Sequence, residues 1–441
     1  ATVKNVLPGM ASVAATDYCE HDRELYNAAR DGKLAEVQRL QLAGGRVDAP
    51  NVDLKDKPQP VHAAASHGHL EVMLWLFDQG VAVDALNGDG FRPIHYACAE
   101  GRIEVAQWLV AHDPELLCAC GENGQQPIHM AAAGGRLSLL QCLLDHGADL
   151  QACQDDGWQP VHAACQTGEI EAAQWLVAKE PALVHARCDD GQQPVHVAAA
   201  NGQLGVIRWL FSQGVAVDAL DGKGIQPIHL ACEEGHLTVA EWLVAQEPQL
   251  VYAHINDASD SGHGSQPMHC ACNSGQLDVA RWLLCIDSQL VHARTDHGMQ
   301  PIHLAAAHGR LTLAQWLLDN GADLHARGGE TGWQPVHAAC QEGQIEVAKW
   351  LVAKEPALVH ACCDDGRQPI HFASARGQLD IAQWLFAVDP QLVRARTKDG
   401  RQPMHVSAAH GQLDVAQWLL GIDSQFIHAR TDDGRQPMHL A

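Results

Sequence analysis

The chain has 441 residues, with 53 acidic against 29 basic side chains and a net charge of −24. That balance excludes nucleic acid or an anionic membrane as the main partner, since both demand a basic face, and it favours a basic or neutral protein. No run approaches the roughly 20 apolar residues of a membrane span, so no direct membrane insertion is expected.

Taken in chain order, residues 1–23 read as an extension without a signal-peptide pattern, and residues 24–57 as a degenerate first unit of a repeat array. Tyr26 there occupies a slot that later units fill with His, and Arg30, Asp31 and Lys33 make the unit polar. A stacked array needs such a cap because its first unit has one face towards water. From residue 58 a Pro-x-His triplet recurs, ending at His62, His95, His129, His162, His196, His229, His269, His303, His337, His371, His405 and His439. Successive triplets lie 33 or 34 residues apart, with one interval of 40. A fixed period of this length is the mark of a solenoid whose units stack only on their neighbours. Residues 58–436 hold eleven such units and 437–441 begin a further, incomplete one.

Residues 90–113 show one unit. Pro93 suits the first turn of a helix, where its missing N–H costs nothing. Ile94, Ala97 and Cys98 share an apolar face, and Gly101 supplies the left-handed stop. Ile103, Val105, Ala106, Trp108 and Leu109 then predict a second amphipathic helix. Neither helix is long enough to stand alone, so each unit must bury its faces on the next. Gly-containing turns such as Asp156-Gly157 and Asp365-Gly366 predict hairpin tips between helix pairs.

The second helix leaves in two ways. Four units use Gly80, Gly147, Gly214 and Gly321; seven use Asp/Glu-Pro or Asp-Ser followed by an apolar pair, as in Glu180-Pro181-Ala182-Leu183-Val184. The second kind predicts a connection packed under the next hairpin. Residues 158–190 recur almost unchanged at 333–365, which suggests a duplicated block and two similar surfaces. The long interval comes from an insertion at 255–265, either a polar finger that touches a partner or a neutral loop. The stretch from Pro437 stops on an interior motif, so the chain is expected to continue or to be capped by another subunit, self-association included.

Gln300-Pro301-Ile302-His303-Leu304-Ala305, Gly309, Leu317-Leu318 and Gly321-Ala322-Asp323 are similar to the ankyrin repeat. That family is marked by Thr-Pro-Leu-His-x-Ala, a Gly-ended helix, Leu-Leu and a Gly-Ala-Asp turn. The resemblance covers roughly residues 24–441. It implies an all-α repeat solenoid of helix-turn-helix units with short β-hairpin loops, stacked into a curved superhelix. Gln stands in the family's Thr slot almost throughout, which leaves the bonding at that slot open, and Trp replaces an aliphatic residue in the second helix.

The His ladder raises a metal reading, but rings one layer apart cannot share an ion whose ligands sit about 4 Å from one another. Each ring is expected to bond the backbone of its own turn, as the resemblance implies. Cys118-x-Cys120 and His269-Cys270-x-Cys272 lack a second pair at finger-like spacing, so no metal and no cofactor is assigned. Cys98, Cys165, Cys232, Cys272 and Cys340 take a small-residue slot, which fits free buried thiols in a reducing, cytoplasmic setting. The second-helix tryptophans, Trp75, Trp108, Trp175, Trp209, Trp242, Trp282, Trp316, Trp350, Trp384 and Trp418, read as a ladder of core side chains.

The residue after each hairpin glycine varies from unit to unit, so the shared framework does not set it. Phe91, Trp158, Ile225, Met299 and Trp333 fall there. The resemblance places this tip region on the concave binding face, where exposed large apolar side chains have the character of binding anchors. Arg367, Arg401 and Arg435 take the same slot. They either grip acidic groups of a partner or pair with Asp365, Asp399 and Asp433 on their own tips. No Ser-His-Asp setting, phosphate-cradling loop or paired carboxylates are found, so no catalytic residue is assigned. The leading expectation is a non-catalytic protein-interaction scaffold. The alternatives are a permanent structural subunit, or the targeting arm of an enzyme lying beyond residue 441.

Overall fold

The computed structural model describes residues 20–256 and 264–441. The core of the 255–265 insertion and most of the N-terminal extension therefore lie outside the described residues. Two compact units divide the chain, one ending at Asp189 and the other beginning at Asp190. The first contains the helix pairs Glu20–Arg30/Leu34–Leu42, Pro60–His67/Leu70–Asp78, Pro93–Ala99/Ile103–His112, Pro127–Ala133/Leu137–Asp145 and Pro160–Thr167/Ile170–Lys179. The second contains seven more, from Pro194–Ala200/Leu204–Ser212 to Pro403–Ala409/Leu413–Ile422, and then a short turn at Pro437–His439. Among the described residues there is no strand. The hairpin loops are too short for one, and only Gly328 and Trp333 form a β-bridge.

After the Glu20–Arg30 pair, each first helix opens on Pro, preceded by an extended residue such as Arg92 (φ −101°, ψ 164°). Gly101, at φ +71°, turns the chain into the second helix. Ile94, Ala97, Cys98, Val105, Ala106 and Leu109 are buried as the apolar pattern predicts. Within each unit, first helices pack on first helices, as Pro127–Ala133 does on Pro160–Thr167 and Pro227–Glu234 on Pro267–Ser274. Residues 20–23, placed in the extension by sequence, are helical. Asp22 is buried there, accepting from the Arg46 backbone N–H at 2.7 Å and from its guanidinium at 2.9 Å.

The seven Pro or Ser exits form 3-10 turns whose apolar residues fold inward; Leu183 and Val184 are both buried. The glycine exits take positive φ, from +88° at Gly214 to +98° at Gly321. The second-helix tryptophans depart from the core ladder expected of them: all ten are half-buried. Trp108 stacks at 5.3 Å on Phe77 of the preceding repeat, and Lys179 Nζ lies 5.4 Å above the Trp175 ring. The slot lies at the edge of the apolar stripe, where a large amphipathic indole has one side packed and the other wet.

The repeated histidines do more than bond their own turn. Nδ1 of His62 accepts the Gln59 N–H at 3.1 Å, closing the local turn. Nε2 meanwhile donates forward, to the carbonyl oxygens of Ala85 (3.0 Å) and Phe91 (3.2 Å) at the next hairpin. Burial lowers the pKa of the rings of His62, His95, His229, His269, His337 and His371 to about 4, which keeps them neutral and fixes this division of roles. Successive tips are also joined by backbone bonds, among them Asp155 N–H to Asn123 O (3.0 Å) and Lys398 N–H to Asp365 O (2.9 Å). The Gln that stands in the Thr slot donates its backbone N–H to the histidine's Nδ1, and its side chain faces the histidine's own backbone N–H in a capping box, as at Gln159, Gln300 and Gln334.

Candidate protein-interaction face

At each of these tips the main chain is fastened in the same way, whatever side chain it carries. The carbonyl oxygens of Phe91, Trp158, Ile225, Met299 and Trp333 each accept from the Nε2–H of the preceding repeat's histidine, at 3.1–3.2 Å. Because that bond uses only backbone, the slot tolerates any side chain, which is why it varies along the array.

The sequence suggested exposed anchors, but all five apolar side chains are half-buried, and Phe91, Trp158, Met299 and Trp333 lie against their own repeat or the next. Phe91 meets His95 edge-on at 5.3 Å, and the missing Cβ of Gly121 makes room for its ring. Trp158 lies 5.9 Å from His162. Trp333 Nε1–H donates to Thr331 Oγ1 at 2.6 Å, and the ring meets Phe372 edge-on at 4.9 Å. The Arg367 guanidinium covers Phe372 at 4.7 Å.

Clefts open between successive tips and first helices. In the first unit, Phe91 lines one of about 210 Å³ with Tyr96 and Met130, and Trp158 lines another of about 520 Å³. In the second unit, Met299, Trp333 and Arg367 share a cleft of about 660 Å³. Arg367 also lines the next, of about 340 Å³, with Arg401, and Arg401 lines a further one, of about 240 Å³, with Arg435. Five of the eight candidates are thus brought together along linked clefts. Ile225 lines none of these.

The arginines pair with their own tips: Arg367 with Asp365 at 2.6 Å, Arg401 with Asp399 at 2.8 Å and Arg435 with Asp433 at 2.9 Å. Their charge is largely answered locally, and they present an ion-paired surface rather than bare cations. Tyr96, Met130 and Phe372 also belong to this face, although helical spacing does not single them out. They follow the repeated His, a slot that reads Ala63, Tyr96, Met130, Leu230 and Phe372 in different units. The same unit-to-unit variation that marks the tips would have found them.

Among the described residues no group of three or more His, Cys, Asp or Glu is placed to hold a metal ion. None of their helices is long and apolar enough to cross a membrane.

A search of curated proteins returns no match. The family model for ankyrin repeats (many copies) matches residues 61–110, 99–144, 128–177, 268–318, 302–352 and 337–386. A second, for ankyrin repeats (3 copies), matches residues 181–253. With the first alone spanning more than half the chain, and with helix-turn-helix units packed in series, the chain belongs to the ankyrin-repeat family.

Proposed function

We propose that the chain is a non-catalytic scaffold that binds a protein partner through the face built from hairpin tips and first helices, the concave side of the family's array. Ankyrin repeats generally mediate protein–protein interaction. The observation that carries the finer reading is the tip slot. Its carbonyl is clamped in repeat after repeat while its side chain varies and lines the clefts. Met299, Trp333, Arg367, Arg401 and Arg435 supply a continuous stretch of that face; Phe91 and Trp158 supply separate clefts. The net charge of −24 favours a basic or neutral partner. The described cysteines are free thiols, which supports a reducing, cytoplasmic setting.

The test is capture of partners from the source cell by the intact chain and by a Trp158→Ala/Trp333→Ala variant, identified by mass spectrometry. Both baits are first compared by circular dichroism and melting. A partner retained by the first and lost by the second, with the fold intact, supports the reading. Binding that is the same with both baits removes it. For a partner so found, each substitution is expected to weaken binding by about 2 kcal/mol.

A further inference from the structure

The Trp158 and Trp333 clefts are duplicates in sequence but not in charge. Trp158, Ala163 and Gln166 line the first, and their counterparts in the repeated block, Trp333, Ala338 and Gln341, line the second. At about 520 and 660 Å³, both fall within the roughly 300–1,000 Å³ of small-ligand sites. The rims differ. Asp155 and Asp156 line the Trp158 cleft, and no Lys or Arg does. His129, which also lines it, has its pKa lowered by burial and adds no positive charge near neutral pH. In the second cleft Glu330 and Thr331 take the places of the two aspartates, and Glu342, Arg367 and Arg376 join the lining, so two carboxylates face two guanidinium groups. An indole face beside carboxylates suits a cation, which is drawn both to the ring and to the negative rim. In the second cleft the guanidinium groups offset the two carboxylates, so the indole there has no net negative rim to draw one.

We propose that the Trp158 cleft receives a single lysine or arginine side chain of the protein partner, held between the indole and the carboxylates of Asp155 and Asp156, and that the Trp333 cleft does not. This rests on the tip face being the binding face and adds the chemistry that one position of it reads.

The test uses random 12-residue peptides displayed on phage and selected on the intact chain. The tightest are resynthesised with each Lys or Arg in turn replaced by norleucine. Affinities are measured for the unaltered chain and for the Trp158→Ala, Asp155→Asn and Trp333→Ala variants. One basic residue should prove essential, its replacement weakening binding about tenfold, within the range of a partly desolvated cation on an indole. That discrimination should vanish with Trp158→Ala, shrink with Asp155→Asn and persist with Trp333→Ala. Asp155 is exposed, so its variant tests the idea even if loss of the indole perturbs the fold. Peptides that need Trp158 but no basic residue overturn the cation assignment and leave the binding face standing. Peptides indifferent to both tryptophans overturn the face as well, as does a selection that returns no binder.

Discussion

Nε2 of His303 lies 3.1 Å from the carbonyl oxygen of Trp333 and also reaches that of Ala326 at 2.9 Å, so one buried ring holds the backbone of the next repeat's tip. The ring's other nitrogen accepts the Gln300 N–H. The precision of each tip is therefore set from the repeat before it.

His303→Ala should strand the Ala326 carbonyl and the Gln300 N–H, at about 1–3 kcal/mol for each, while the Trp333 carbonyl keeps the Gly328 N–H. Hydrogen–deuterium exchange should rise at residues 326–337, beyond the substitution, while residues far along the array stay protected. Uniform exchange across the chain would contradict a tip held from the repeat before it.

The buried histidines make stability depend on pH. Their folded-state pKa of about 4 lies below the ordinary 6.5, so between those values the unfolded chain binds protons that the folded chain refuses. Stability is full above pH 6.5, falls as pH drops towards 4 and then levels, each ring contributing on the order of 1–3 kcal/mol. Urea midpoints measured at pH 7.5, 6 and 5 should fall in that order; a flat series would show that the rings titrate normally.

The tip arginines should differ in what they contribute. Arg435 is exposed and pairs only with an exposed Asp433, so Arg435→Ala should change stability by less than about 0.5 kcal/mol. Arg367 is less exposed, bonded to Asp365 and laid over Phe372, and Arg367→Ala should cost about 1 kcal/mol. Denaturant melts of the two variants decide this, and equal effects would mean that the ring contact adds nothing.

Two glycines separate backbone strain from crowding. Gly191 has φ +75°, and a Cβ there would stand 2.5 Å from the Gly222 backbone nitrogen, where the chain already bonds Gly222 N–H to Asp190 O. Gly147 has φ +97° and open space around the added carbon. Gly147→Ala should therefore cost about 1 kcal/mol from conformation alone, and Gly191→Ala distinctly more. Similar melting points for the two would remove the crowding argument.

The period, the Pro that opens each first helix and the Gly that ends it are local signals, and the helix pairs follow them closely. The Pro and Ser exits were legible for the same reason, since an apolar pair after a turn has only the core to enter. The forward reach of each histidine was not, because its acceptors lie 23–30 residues away and only folding brings them near. The half-buried state of Trp108 and its counterparts was missed because helical spacing marks a stripe but not its edge. At the tips, variation between units pointed to Phe91, Trp158 and Trp333. It could not show that each ring folds onto a neighbour, nor that Arg367, Arg401 and Arg435 would find their own aspartates.

The bonds between neighbouring tips bear on how the molecule yields to a pull. Joined only in series, the repeats of a unit share a tensile load one junction at a time. Once a histidine releases its tip, the strand of about 33 residues behind it pays out on the order of 110 Å of slack. Drawn from its ends, the chain should lengthen in regular steps, a spring of many small catches.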